Sequence, residues 1–136
     1  MRLISICPSN TELAIFLGLK ENLVALDDFS DWPEDLSHLP RLGPDLSINM
    51  DLLETYKPDM VLASLSVPGM EKNVNELIKR NIPHLVFDPQ SFQDIALNLA
   101  TLGKATGKEK EAVLAIEKYQ NILDTYKAIA ATIQKP

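Results

Sequence analysis

The 136-residue sequence is poor in several things at once: it has one cysteine, two histidines, five glycines and a single tryptophan, and aromatics make up only 6%. A lone Cys7 excludes an internal disulfide, leaves the redox compartment open and reads as a buried strand thiol. No apolar run approaches the roughly 18 residues that a membrane helix needs. Positive charge is also scarce, with 13 Lys and Arg against 19 Asp and Glu, a net charge of -6. The lysines are scattered among glutamates, so no phosphate-tracking stripe exists and nucleic acid is not an expected partner. Catalytic signatures are missing as well: there is no G-x-S-x-G elbow, no H-E-x-x-H, no C-x-x-C and no glycine-rich phosphate cradle, and Gly43 and Gly69 stand isolated. His38 and His84 do not sit in the spacing of a metal site. These absences favour a non-catalytic binding chain without an intrinsic metal or cofactor.

What is present is an alternation of short β-branched runs and capped helices. RLISIC leads directly into PSNTELAIFLGL, with Pro8 at the junction, Ser9 as the expected N-cap and Glu12 three residues later. Leu13, Phe16 and Leu17 give that helix its apolar face, and Gly18 closes it. NLVALD is a second strand. Residues 27–48 form a long ordered loop with one short extended piece near Leu39 to Leu42. Asn49 caps MDLLETYK, whose Leu52, Leu53 and Tyr56 face inward before Pro58 stops the helix; DMVLAS is the third strand. An amphipathic helix with Met70, Val74, Leu77 and Ile78 follows Gly69, and IPHLVFDP is the fourth strand. Ser91 and Asp94 repeat the capping arrangement at the start of SFQDIALNLATLGKATG.

Successive strand and helix units predict an α/β fold: a three-layer sandwich lobe over residues 1–107 with a mostly parallel sheet of four or five strands. Residues 108–136 read as one long helix, with Ile116, Tyr119, Leu123, Tyr126, Ala130 and Ile133 at spacings of three and four. At 1.5 Å per residue it is about 40 Å long, more than one small lobe covers, so its apolar stripe calls for a second lobe or another copy of the chain.

In a parallel sheet a ligand sits at the carboxyl ends of the strands. That rule selects Ser9, Asn10 and Thr11 after the first strand, Asp27 to Trp32 after the second, Ser64 to Gly69 after the third, and Asp88 to Ser91 after the fourth. Phe29 and Trp32, on a polar loop, offer flat apolar surface to a ring or macrocycle. Asp27, Asp28 and Asp31 could alternatively hold a hard cation.

SICPSNTELAIFLGL, VALDDFSDWP, LPRLGPDLSINMDLLETYKPDMVLAS and IPHLVFDPQSFQDIALNLATLGKATG resemble the amino-terminal lobe of the cobalamin-binding and iron-complex-binding proteins that serve ABC importers. These are periplasmic binding proteins with a helical backbone, the helical backbone metal receptor type. The resemblance implies two α/β lobes joined by one long helix, with the second lobe absent from this chain. It implies capture of a corrinoid such as cobalamin, or of an iron-siderophore or haem, without catalysis, and an isolated lobe whose affinity is weak or undetectable. It places Ser9 and Asn10 near the corrin edge, Trp32 against the ligand, and Ser64 and Leu65 on the cleft wall. Gly43 and Pro44 stand where relatives present an aromatic. Asp51 resembles the acidic position by which such lobes dock on basic pockets of the importer's membrane subunits, and a carboxylate in the first helical turn is also stabilising on its own. A periplasmic or cell-surface location follows from the resemblance; the chain shows no signal peptide ahead of its first strand, which keeps the cytoplasm open. The alternative reading is a non-catalytic interaction module that self-associates through its long C-terminal helix.

Overall fold

The computed structural model describes residues 1–31, 34–88 and 92–133. The chain divides into two compact units, Met1–Gln90 and Ser91–Pro136. The division falls ahead of the helix that follows the fourth strand.

The first unit is a four-stranded sheet with its strands in the order β2-β1-β3-β4. The strands are β1 (Leu3–Ser5), β2 (Leu23–Leu26), β3 (Met60–Ser64) and β4 (His84–Phe87), and every neighbouring pair is parallel. The helices between them are α1 (Pro8–Phe16), α2 (Met50–Thr55) and α3 (Glu71–Lys79). The extended piece expected near Leu39 to Leu42 exists as a parallel bridge between Leu26 and Arg41, flanked by Leu26 N–H to Pro40 C=O and Leu42 N–H to Leu26 C=O.

Strand alternation sorts the core onto two faces. Ile4 and Ile6 join Ala25, Val61 and Ala63 in a cluster with Met50 and Leu53 of α2 and Leu77 of α3. Ser5 points the other way and accepts a bond from Thr11 of α1. The sheet therefore lies between α1 on one face and α2 with α3 on the other, the sandwich that the pattern predicts.

Several local expectations hold for their stated reasons. Asn49 caps α2, its side-chain oxygen accepting from the Leu52 N–H at 3.0 Å. The end of α1 is a Schellman turn, with Gly18 N–H on Ile15 C=O, Leu19 N–H on Ala14 C=O, and Leu19 buried. Others are corrected. The N-cap of α1 is Cys7, not Ser9, because Pro8 takes the first helical position, where its fixed φ and missing N–H cost nothing. Cys7 is buried, but just beyond the strand rather than in it. Phe16 and Ile78 are exposed, since Ala14 and Leu17 in α1, and Asn73 and Leu77 in α3, occupy the inward positions. Asn73 is buried because it is a brace: its amide donates to Asp45 C=O and its oxygen accepts from Ile48 N–H.

The second unit pairs α4 (Phe92–Thr106) with α5 (Glu109–Ile133). Gly107 turns the chain at φ +72°, and Lys108 N–H reaches back to Gly103 C=O at 2.7 Å. On α5 Leu123 is buried as expected, whereas Tyr126 is 72% exposed, along with Ile122 and Ile129. The Ser91 capping expectation lies outside the described residues.

Candidate functional site

The chain leaves the central strand β1 for β2 on one side and returns to β3 on the other, so the topological switch point lies between the carboxyl ends of β1 and β3. The turn entering α1, the loop after β2 and the loop after β3 all leave this edge.

At the first turn Ser9 is exposed and Asn10 is not. Asn10 is 1% exposed, and its amide donates to Ala63 C=O at 2.9 Å, tying the turn to the end of β3 across the switch point. That bond fixes the rim's shape and leaves Ser9, whose hydroxyl lies 3.3 Å from the Cys7 thiol, as the group at the surface.

The loop after β2 is held by a network that the sequence does not advertise. Asp27 is fully buried; one carboxyl oxygen accepts from the Phe29 N–H at 3.0 Å, and the Ser30 hydroxyl lies 2.5 Å from the other. Burial pushes the Asp27 carboxyl above its ordinary range, opposed by those two hydrogen bonds and aided by the charge of Asp45. Thr11 joins the loop to α1, with its hydroxyl 2.7 Å from Ser30 and 2.7 Å from Ser5. Arg41 closes the loop from the far side, its guanidinium donating to the carbonyls of Asp27, Ser30 and Leu36. Asp28 clasps Gly43 through two bonds, N–H to Gly43 C=O and Oδ1 from Gly43 N–H. Gly43 sits at φ +105°, and a Cβ there would meet Ser47 C=O at 3.0 Å, so the clasp requires glycine.

The result is a rigid loop that presents Phe29, 58% exposed, at its crest. Trp32 lies outside the described residues. Pro44 is exposed beside the clasp.

In the loop after β3, Ser64 is buried and accepts from the Ser66 N–H, so it shapes the turn, while Leu65 and Val67 carry the exposed surface. The position of a Cβ on Gly69 lies 3.5 Å from the Leu46 side chain, which brings the 43–48 and 65–70 loops together. Phe29, Leu46, Leu65 and Val67 thus supply apolar surface at one edge of the sheet, each at least 40% exposed. Leu46 is absent from the residues selected by sequence, and Val67 is included only as part of the Ser64 to Gly69 range, since single aliphatics in loops carry no signal until the loops are placed.

The aspartates after β2 do not converge on a cation site: Asp27 is engaged with Ser30 and Phe29, and Asp28 with Gly43. Among the described residues no group of three His, Cys, Asp or Glu side chains could hold a metal. His38 makes a ring-nitrogen contact with Asp35 C=O, and His84 one with Ile82 C=O.

Asp51, in the first turn of α2, is 90% exposed through its side chain. Arg80 holds its carboxylate at 2.8 Å and also reaches Glu54 at 3.2 Å.

A family profile described as periplasmic binding protein matches residues 3–136. The chain is 32% identical over 124 residues to a vitamin B12-binding protein of Yersinia pestis, covering 91% of this chain and 44% of that one. It is 29% identical over 136 residues to an ABC transporter substrate-binding lipoprotein of Bacillus subtilis, covering 98% of this chain and 43% of that one. Among solved structures, the periplasmic vitamin B12 binding protein of Vibrio cholerae superposes with a TM-score of 0.84 at 25% identity, over 96% of this chain and 51% of the other. A periplasmic haem-binding protein of Pseudomonas aeruginosa shares the fold with a TM-score of 0.84 at 22% identity, over 99% and 49%. The chain spans about half the length of the curated relatives it matches.

Proposed function

The chain belongs to the periplasmic binding protein family, and on that premise we propose that it forms one wall of a cleft that captures a corrinoid such as cobalamin, without catalysis, for an ABC importer. The observation that carries this reading is the apolar rim of Phe29, Leu46, Leu65 and Val67, held on braced loops at the carboxyl edge of a parallel sheet. A macrocycle with a polar periphery suits such a wall: its flat body covers apolar side chains while Ser9 and loop amides meet its edge. Trp32, Gly43 and Pro44 belong to the same wall in this reading, and Asn10 and Ser64 shape it from beneath. The Yersinia relative favours the corrinoid; an iron-siderophore or haem is the alternative ligand. Asp51 is the proposed contact to the importer's membrane subunits, and the place of action is the periplasm or cell surface. Among the described residues no helix is long and apolar enough to cross a membrane.

The test is an amide chemical-shift titration of the 136-residue chain with cyanocobalamin, which detects dissociation constants on the order of millimolar, as expected of one wall alone. The expected result is a saturable set of shifts at Ser9, Phe29, Gly43 and Leu65, weakened about tenfold in Phe29→Ala. Shifts confined to other surfaces, or none at millimolar ligand, overturn the reading. The same titration with a ferric siderophore or haemin decides between the ligand classes.

A second reading, self-association through the long helix, is favoured by the exposed strip of Ile122, Tyr126 and Ile129 on α5. Residues four and three apart share one helix face. Sedimentation equilibrium should then show a dimer that Tyr126→Asp dissociates; a monomer at high concentration removes this reading.

A further inference from the structure

Charge is unevenly placed in the first unit. Met1–Gln90 hold 14 of the 19 Asp and Glu but only 7 of the 13 Lys and Arg, so the negative excess of the chain lies there. Most of its bases gather at the amino ends of the strands: Arg2 ahead of β1, Lys20 ahead of β2, Lys57 ahead of β3, and Lys79 with Arg80 ahead of β4. Acids answer them there. Lys20 pairs with Asp35, Arg80 with Asp51, Glu54 and Glu76, and Asp59 accepts from the Arg2 N–H.

The carboxyl edge is different. Residues 6–12, 27–31, 41–48, 64–72 and 87–88 have Arg41 and Lys72 as their only bases. Arg41 is engaged with the carbonyls of Asp27, Ser30 and Leu36, and Lys72 directly follows Glu71. Each apolar residue of the rim, in contrast, has an acid close by. Asp28 precedes Phe29 and Asp31 stands two residues after it, both exposed. Asp45 precedes Leu46. Glu71 accepts from the Gly69 N–H at 2.9 Å, where the loops of Leu46 and Val67 meet. Asp88 follows Phe87, whose carbonyl accepts from the Leu65 N–H at 3.3 Å. Helix amino ends bring about half a positive charge each to this edge. Glu71 stands in the first turn of α3 and offsets that share, whereas α1 has no acid in its first turn, so the turn at Ser9 keeps a positive character.

We infer that this edge is a charge filter: it admits neutral or cationic ligands, whose amide or carbonyl oxygens meet the Ser9 turn, and turns away anionic ones. Selection of a captured ligand rests on the cleft wall proposed above; the field at the rim does not. Apolar surface set among like charges concentrates their field. An iron complex of three catecholates is an anion and haem carries two propionates, and a carboxylate or catecholate that gives up its water here finds no free cation among the described residues of the edge. A corrinoid with an amide periphery, or a neutral or cationic hydroxamate complex of iron, is the class that fits.

Two nitroxides of equal size, one bearing an ammonium and the other a carboxylate, read the field without any ligand. In the 136-residue chain at about 10 mM salt, amide relaxation at Phe29, Leu46 and Leu65 is expected to be enhanced about threefold or more by the cation relative to the anion, with a ratio near one at Lys20 and Arg80 and convergence at about 1 M salt. Asp31→Lys should lower the Phe29 ratio by about half. A ratio near one or below it at the rim, or a Phe29 ratio indifferent to Asp31→Lys, overturns the inference. The ligand arm compares cyanocobalamin with its monocarboxylate, in which one propionamide is hydrolysed; the acid should bind about threefold more weakly at low salt and equally at about 1 M. Equal binding at low salt overturns the filter. A negative rim that binds neither compound supports the filter and overturns the corrinoid reading instead.

Discussion

Replacing Arg41 with Ala is expected to lower unfolding stability by about 2–4 kcal/mol and to loosen the loop after β2 before the rest of the sheet. The guanidinium reaches three backbone carbonyls, those of Asp27, Ser30 and Leu36, from one side chain that is itself half-buried. Among the described residues no other side chain reaches all three, so truncation takes the side-chain donor from the carbonyl of the buried Ser30 and leaves the Asp27 and Leu36 carbonyls with only the Ser30 and Leu39 N–H groups. Arg41→Lys should recover little, because a compact ammonium cannot span acceptors that the planar fork addresses together. Hydrogen exchange distinguishes this local account from general damage. The Asp28 and Leu42 amides, bonded to Gly43 C=O and Leu26 C=O across the loop, should exchange much faster, while the amides of β3 should slow or quicken only with global stability. A uniform change in both sets would mean that Arg41 supports the unit as a whole and not the rim in particular.

Arg41 also marks the limit of what the sequence discloses. Its neighbours in the chain, LPRLGP, identify an extended piece, and the bridge to Leu26 confirms that piece, because local β-propensity and the flanking prolines act within a few residues. The same holds for the Asn49 cap and the turn at Gly18, which are satisfied by groups three to five residues away. Three carbonyls 5 to 14 residues upstream are a different matter, since only the closed loop brings them to one guanidinium. Asn73 is similar: its polarity reads as surface, yet it is buried because Asp45 and Ile48, 28 and 25 residues earlier, complete its hydrogen bonds. Phe16 and Ile78 fail in the opposite direction. Helical spacing gives the period of an apolar stripe but not its phase relative to the sheet, and in both helices a small or polar residue won the inward position.

For the candidate site, the edge of the sheet was legible from the strand order that parallel units impose, and Phe29 stood out as an aromatic on a polar loop, where the structure leaves it exposed. The division of labour within each loop was not. Ser9 and Asn10 are adjacent and chemically alike, but one is exposed and the other is spent on Ala63. Ser64 and Leu65 divide in the same way, with the polar residue inside and the apolar one outside, the reverse of what polarity alone predicts. Loops at a strand end must satisfy their own backbone first, and small polar residues do that from within, which frees aliphatic and aromatic side chains for the surface.

The second large effect concerns the helical hairpin of the second unit. Gly103→Val is expected to disrupt the α4 and α5 pairing, and Gly103→Ala to destabilise it by about 1–3 kcal/mol, although alanine is the better helix former by about 1 kcal/mol. A Cβ at Gly103 would lie 2.5 Å from the Ala112 Cβ and 3.1 Å from the Lys108 carbonyl oxygen. Neither obstacle is the flexible end of a side chain. Ala112 is 3% exposed and its N–H is bonded to that same Lys108 carbonyl, which is fixed in turn by the Lys108 N–H on Gly103 C=O. The helices can make room only by breaking the turn that joins them. The steric origin is separable from any loss of backbone flexibility by a paired substitution: Ala112→Gly costs helix propensity alone, so Gly103→Ala with Ala112→Gly should be more stable than the sum of the two single changes predicts. Thermal unfolding followed by helical circular dichroism measures all three variants, with Thr101→Ala on the exposed side of α4 as a substitution expected to stay within about 0.5 kcal/mol. Additive losses in the pair would place the conflict at the Lys108 carbonyl instead of Ala112, and a Gly103→Ala protein as stable as the native chain would show that the close approach of the two helices is not required.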